Sequence, residues 1–261
     1  MLPLAGVEMH TNNEILVNIY DRNAASMENV AHFYRWVMEI FSQYEVPVNA
    51  SIIDIGCGTG AVLEYLRDKG YQSLTGVDFS QGCLRLAKER NLLARLYRQD
   101  IVEEPIAGAY DVAIMTTVID FVEDPNTALN NVLAGLKEQG LFFISIRNLT
   151  AYFPWYHLGF FANSLRRWPR ARHWFLQFTT PLSWRRNEYP VDEMFTTSQA
   201  RVMLHNAGLA IVGEHSAQFL PMFWIWDVPQ LVAAMKWIDK HFPSPKRLGY
   251  MYMFVCQKGP S

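Results

Sequence analysis

Between residues 51 and 147 the chain alternates short unbroken apolar runs with stretches whose apolar residues recur every three or four positions. The first pattern marks strands buried on both faces; the second marks amphipathic helices. The runs at 51–54, 73–78, 110–115 and 140–147, with the more polar segment 94–101 between them, predict five strands. Helices are predicted over 25–44, 60–69, 80–91 and 126–138, the last opened by Asp124-Pro125, where proline suits a first turn. Thr196 opens a further helix through His205, and Asn206-Ala-Gly208 closes it. Residues 209–215 and 249–257 predict a sixth and a seventh strand. This alternation predicts an α/β protein with a doubly wound, seven-stranded, mostly parallel sheet. No repeat or low-complexity tract interrupts it, so residues 1–261 read as a single domain. Its parts are a helical cover (1–48), a ligand-binding core (49–147), an insertion between strands five and six (148–196) and the remainder of the sheet (197–261).

The first strand meets its helix through Asp54-Ile-Gly-Cys-Gly-Thr-Gly60. Gly56, Gly58 and Gly60 can take positive φ and let a ligand approach main-chain N–H groups at a helix start. Two ligands answer to this turn. Gly56, Gly58 and Ala61 satisfy a dinucleotide fingerprint, with Asp78 at the expected distance downstream. S-adenosylmethionine also answers, because its methionine end offers an ammonium to Asp54, where a phosphate would be repelled. The next two strands finish in acids as well. Asp78 can take both ribose hydroxyls, and Asp100 can accept the adenine amino group. Three successive strands ending in Asp favour S-adenosylmethionine.

Asp54–Gly60 closely resembles the first motif of class I S-adenosylmethionine-dependent methyltransferases, and the similarity extends over about residues 45 to 150. The resemblance implies a Rossmann-like methyltransferase fold whose last strand is antiparallel and inserts beside the sixth. It implies that Gly56, Cys57, Gly58 and Gly60 wrap the methionine moiety and that Asp78 holds the ribose. Phe79 then forms an apolar wall, Asp100 and Ile101 flank the adenine, and Thr116 lies beneath the sulfonium. Tyr20-Asp21 is similar to a pair preceding that motif in small-molecule methyltransferases, where the segment folds over the cofactor; a tyrosine packing its helix on the sheet is an equal reading. Many relatives carry Glu-His where this chain has Asp120-Phe121, and Phe121 cannot take a proton. Asp120 and, in the insertion, His157 are the candidate bases.

Composition sharpens the acceptor side. The formal net charge is only −2, which argues against a nucleic-acid binder driven by bulk charge. Yet residues 139–187 contain no Asp or Glu and seven arginines, leaving 16 basic residues against 25 acids elsewhere. Four of the eight tryptophans lie there too. Arginine among aromatics suits an apolar acceptor with an anionic end, contact with anionic lipid, stacked bases, or an aromatic lid with arginines reaching solvent. An α-helical lid and a small-molecule acceptor are expected, with Arg147, Tyr152, Trp155 and Tyr156 as acceptor-binding residues. Cys57, Cys83 and Cys256 have no C-x-x-C spacing, which fits a reducing compartment. Met1–Gly6 lacks the basic start of a signal peptide, so a cytoplasmic protein, at most peripheral to a membrane, is expected.

Methyl transfer is an in-line displacement for which the cofactor supplies most of the driving force, and a base is needed only when the acceptor must lose a proton early. No Asn-Pro-Pro-Tyr motif follows the fourth strand, which speaks against methylation of nucleobase or glutamine amino groups, and no His/Cys spacing suggests a metal. Two other classes remain in view. An NAD(P)-dependent oxidoreductase is disfavoured by Asp54 and by the lack of a Tyr-x-x-x-Lys pair. A non-catalytic S-adenosylmethionine-binding module would bind S-adenosylhomocysteine without turnover.

Overall fold

The computed structural model describes residues 31–90, 92–149, 194–217, 249 and 251–259. In chain order these form α1 (Ala31–Phe41), a 3-10 turn (Ser42–Tyr44), β1 (Ile52–Ile55), α2 (Ala61–Asp68), β2 (Leu74–Asp78), α3 (Gln81–Glu89) and β3 (Arg95–Arg98). Then come β4 (Tyr110–Met115), a 3-10 turn (Ile119–Phe121), α4 (Pro125–Ala134), β5 (Leu136–Arg147), α5 (Thr197–Asn206), β6 (Leu209–Ala217) and β7 (Met251–Lys258). One seven-stranded sheet runs in the order β3-β2-β1-β4-β5-β7-β6. β1 to β5 are parallel neighbours, whereas β7 is antiparallel to both β5 and β6. The expected antiparallel last strand is present, and it lies between the fifth and the sixth.

Alternation along the strands sorts side chains to two faces. Ile52, Ile114, Phe143 and Val255 join Val37, Phe41, Leu63 and Leu84 in a core covered by α1, α2 and α3. Ile53, Ala113, Ile144 and Phe254 join Leu129, Val132, Ala200 and Leu204 in a core covered by α4 and α5. The result is three layers with the sheet in the middle.

Two boundaries differ from expectation. The helix predicted over 126–138 stops at Ala134, and β5 begins at Leu136, before the predicted residue 140. Leu136 pairs with Tyr110, and the register then shifts so that Val112 faces Leu141, with Gln139 in the left-handed region (φ 60°). Tertiary pairing with β4 therefore overrides a local pattern that would prolong the helix. The third strand, predicted over 94–101, ends at Arg98, two residues before Asp100. Asp100 instead turns the chain, accepting the Val102 N–H at 2.9 Å. By contrast α5 begins where the sequence places it. Thr196 accepts the Gln199 N–H and Gln199 returns the bond in a reciprocal capping box.

Candidate functional site

The site is built at the carboxyl ends of β1, β2, β4 and β5, where an open α/β sheet offers its crevice. The turn after β1 hugs β2, with the N–H groups of Gly56 and Cys57 both donating to the Val77 carbonyl, at 2.8 and 3.0 Å. Asp78, the last residue of β2, braces the turn. Its Oδ2 accepts the Gly58 N–H and its Oδ1 the Ser80 N–H, both at 2.8 Å. Ser80 in turn caps α3 by accepting the Cys83 N–H. Gly58 sits at φ +52°, and a Cβ built there would meet nothing within 4 Å among the described residues. Gly56 (φ +67°) is hemmed in instead, since its Cβ would strike Val118 after β4. The turn is thus closed on the sheet side and open at Gly58, where a ligand can lie against bare backbone.

Asp54 is 1% exposed, and its Oδ1 has no hydrogen-bond partner among the described residues. Burial, and then the charge of Asp78, push its carboxyl well above the usual carboxylate range. An orphaned, buried carboxylate oxygen beside a bare glycine turn calls for a donor carrying positive charge. The ammonium of S-adenosylmethionine fits that need, and Asp78, already fixed by two N–H donors, fits the ribose hydroxyls. Burial, then Asp54 and Asp78, also raise the Cys57 thiol well above its ordinary value, which keeps it a protonated filler.

Tyr34, on α1, was not among the residues singled out from sequence. Burial, followed by the charges of Asp54 and Asp78, raises its phenol. Tyr34 packs against the core beneath α1 together with Val37, Met38 and Phe41. That helical spacing is the signal that could have placed it over the sheet. Phe79 is half-buried, and Ile101 is buried in the core under α4.

The turn after β4 holds the rest. Thr116 is buried, and Asp120 is fully buried in the 3-10 turn. The Asp120 carboxylate accepts the Arg147 N–H, at 3.2 Å to each oxygen, and lies 3.4 Å from the Arg147 Nε. The Arg147 guanidinium stacks 4.6 Å from the Phe121 ring centre. The structure therefore brings together the residue singled out as a base and the one singled out for the acceptor. The chain passes from β5 to Leu149 and returns at Phe195, and the Leu149 N–H donates to the Phe195 carbonyl at 2.9 Å. Both ends of the insertion are therefore rooted beside Arg147. Tyr20, Tyr152, Trp155, Tyr156 and His157 lie outside the described residues. Among the described residues no three His, Cys, Asp or Glu side chains group as metal ligands.

A sheet with an antiparallel strand inserted between its last two, and an acid-braced glycine turn at its centre, defines the class I S-adenosylmethionine-dependent methyltransferases. The family model described as a methyltransferase domain matches residues 27–214, and the chain belongs to that family. It is 30% identical over 184 residues to a ubiquinone biosynthesis O-methyltransferase of a Ruegeria species, covering 68% of this chain and 67% of that one. A protein of the same name from Bradyrhizobium diazoefficiens is 35% identical over 50% of this chain, which spans only 53% of its length. A solved S-adenosylmethionine-dependent methyltransferase of Thermotoga maritima, a possible histamine N-methyltransferase, superposes with a TM-score of 0.61 at 17% identity, covering 92% and 99% of the two chains. S-adenosylmethionine is the cofactor of this enzyme class.

Proposed function

We propose that this enzyme methylates an oxygen of a small, largely apolar acceptor of the quinone-precursor type that carries an anionic group. One observation carries the reading: Asp54 with its glycine turn and Arg147 with Phe121 lie at the carboxyl ends of β1 and β5, with only β4 between them. The cofactor end is the orphaned Asp54 oxygen beside the open Gly58 turn. The acceptor end is the Arg147 guanidinium stacked on Phe121. The O-methyltransferases of ubiquinone biosynthesis among its relatives support an oxygen as the accepting atom.

S-adenosylmethionine supplies an electrophilic methyl group on its sulfonium. Asp54 accepts from the ammonium, Asp78 from the ribose, and the glycine turn receives the methionine carboxylate. Val118, packed against the turn at Gly56, and the buried Thr116 exclude water from the floor. Arg147, buried against Asp120, backs this side of the site, and Phe121 offers the acceptor an aromatic wall. The other six arginines of 139–187 are the charges that draw in a carboxylate or phenolate. Holding nucleophile, methyl and sulfur in line at about 3 Å can contribute ~7–11 kcal/mol.

An isoprenoid tail would place the acceptor in lipid, and the acid-free, arginine-rich stretch from 139 to 187 suits an anionic surface. No described helix is long and apolar enough to cross a membrane. The test offers methyl-labelled S-adenosylmethionine with a prenylated dihydroxybenzoate, the same ring without its carboxylate, and an aromatic amine. Label on the ring oxygen of the first, with less on the second, is expected. Label on the amine alone would overturn the oxygen assignment. Binding of S-adenosylhomocysteine without label on any acceptor would leave a binding module.

A further inference from the structure

Thr117 is the β-branched member of the four non-glycine residues with positive φ among the described residues, at φ 54°. A β-branched side chain in that region is held there by its surroundings. The regular ladder between β4 and β5 ends at Met115 and Ile144. Beyond that pair, two residues on along the β4 side and one along β5, a side chain continues it: the Thr117 N–H donates to the Ser145 Oγ at 2.9 Å. Two residues along β5, the Arg147 N–H donates to Asp120, and the guanidinium covers Phe121. Ser145 and Asp120 are both fully buried. Between these two anchors Val118 fills the space beside Gly56.

We propose that Ser145 and Asp120 are positioning residues: they clamp the turn 116–121 onto β5, keep Thr117 left-handed and so fix the floor of the methyl-transfer site against the glycine turn. This rests on the methyltransferase reading. It assigns Asp120 a task other than taking the acceptor's proton, because its oxygens already accept from Arg147 and no face of it meets solvent. The clamp acts on geometry, to which an in-line displacement is steeply sensitive.

The test compares Ser145→Ala, Thr117→Gly and the double variant for S-adenosylhomocysteine affinity by calorimetry and for kcat against KM. Ser145→Ala is expected to lower kcat about tenfold or more and to weaken S-adenosylhomocysteine about threefold, with acceptor KM little moved. Glycine occupies positive φ without strain, so Thr117→Gly in the Ser145→Ala background is expected to restore most of both losses. A merely structural serine would show no such rescue. Asp120→Asn keeps an oxygen for the Arg147 N–H and should lose less than about threefold with its pH–rate profile in place, whereas Asp120→Ala loses about tenfold. Collapse of Asp120→Asn with loss of the alkaline-rising limb would make Asp120 the base and overturn its assignment. Wild-type kinetics in Ser145→Ala, or a double variant no better than the single, would overturn the clamp; should Ser145→Ala fail to fold, the two Asp120 variants decide. If the unaltered protein fails to bind S-adenosylhomocysteine, the methyltransferase reading itself fails.

Discussion

Asp54 carries a cost in the folded chain that nothing in the described structure offsets. Its burial and the neighbouring Asp78 charge raise its pKa, so the folded state holds a proton that an unfolded aspartate, with pKa about 3.9, has released. Stability without cofactor therefore falls as pH rises from the unfolded value through the raised folded one, and the penalty is complete above it. Asp54→Asn is expected to raise the neutral-pH urea midpoint of the cofactor-free protein and flatten that slope. The same change removes the charge the ammonium needs, a loss of about 1.5–3 kcal/mol, so S-adenosylhomocysteine should bind tenfold or more weakly by calorimetry. A variant with wild-type affinity would take Asp54 out of the site. Asp54 and Asp78 were legible in the sequence because each closes an apolar run. Tyr34 was not, because its relation to them exists only once α1 lies across the sheet.

Elements show where local pattern decides and where it does not. The capping box of Thr196 and Gln199 is a local device, and α5 starts where it says. The end of α4 is not local, since Leu136 has a partner on β4 that no window of sequence contains. β6 gives a sharper case. A Cβ on Gly213 would stand 1.7 Å from the Tyr44 hydroxyl oxygen, and that hydroxyl hydrogen-bonds the His215 Nε2 at 2.8 Å. Gly213 lies where the β6–β7 register shifts, and it makes room for the 3-10 turn that follows α1. Gly213→Ala should destabilise by about 1–3 kcal/mol through overpacking. Tyr44→Phe, which removes the clashing oxygen, should recover part of that loss in the double variant. Strict additivity of the two changes in urea unfolding would show that the contact is not the cause.

For the molecule as a whole, a ligand that binds the folded chain and not the unfolded one stabilises the entire fold. S-adenosylhomocysteine at a hundred times its Kd should add about 2.7 kcal/mol of stability, read as a raised Tm. NADH at the same concentration should leave Tm where it is, and a rise with NADH alone would reverse the choice between the two glycine-turn ligands. The sequence by itself determined the α/β alternation, the glycine turn with its acids, and the class of cofactor, because these rest on short local patterns, each complete within its own strand–turn–helix unit and repeated along the chain. Only the tertiary structure decided that Asp120 meets Arg147 and that Thr117 hangs from Ser145. It also decided that Asp54 keeps an oxygen with no partner among the described residues. Each of these depends on chain segments brought together by sheet order and by burial, and neither has a local signature for residue pattern to record.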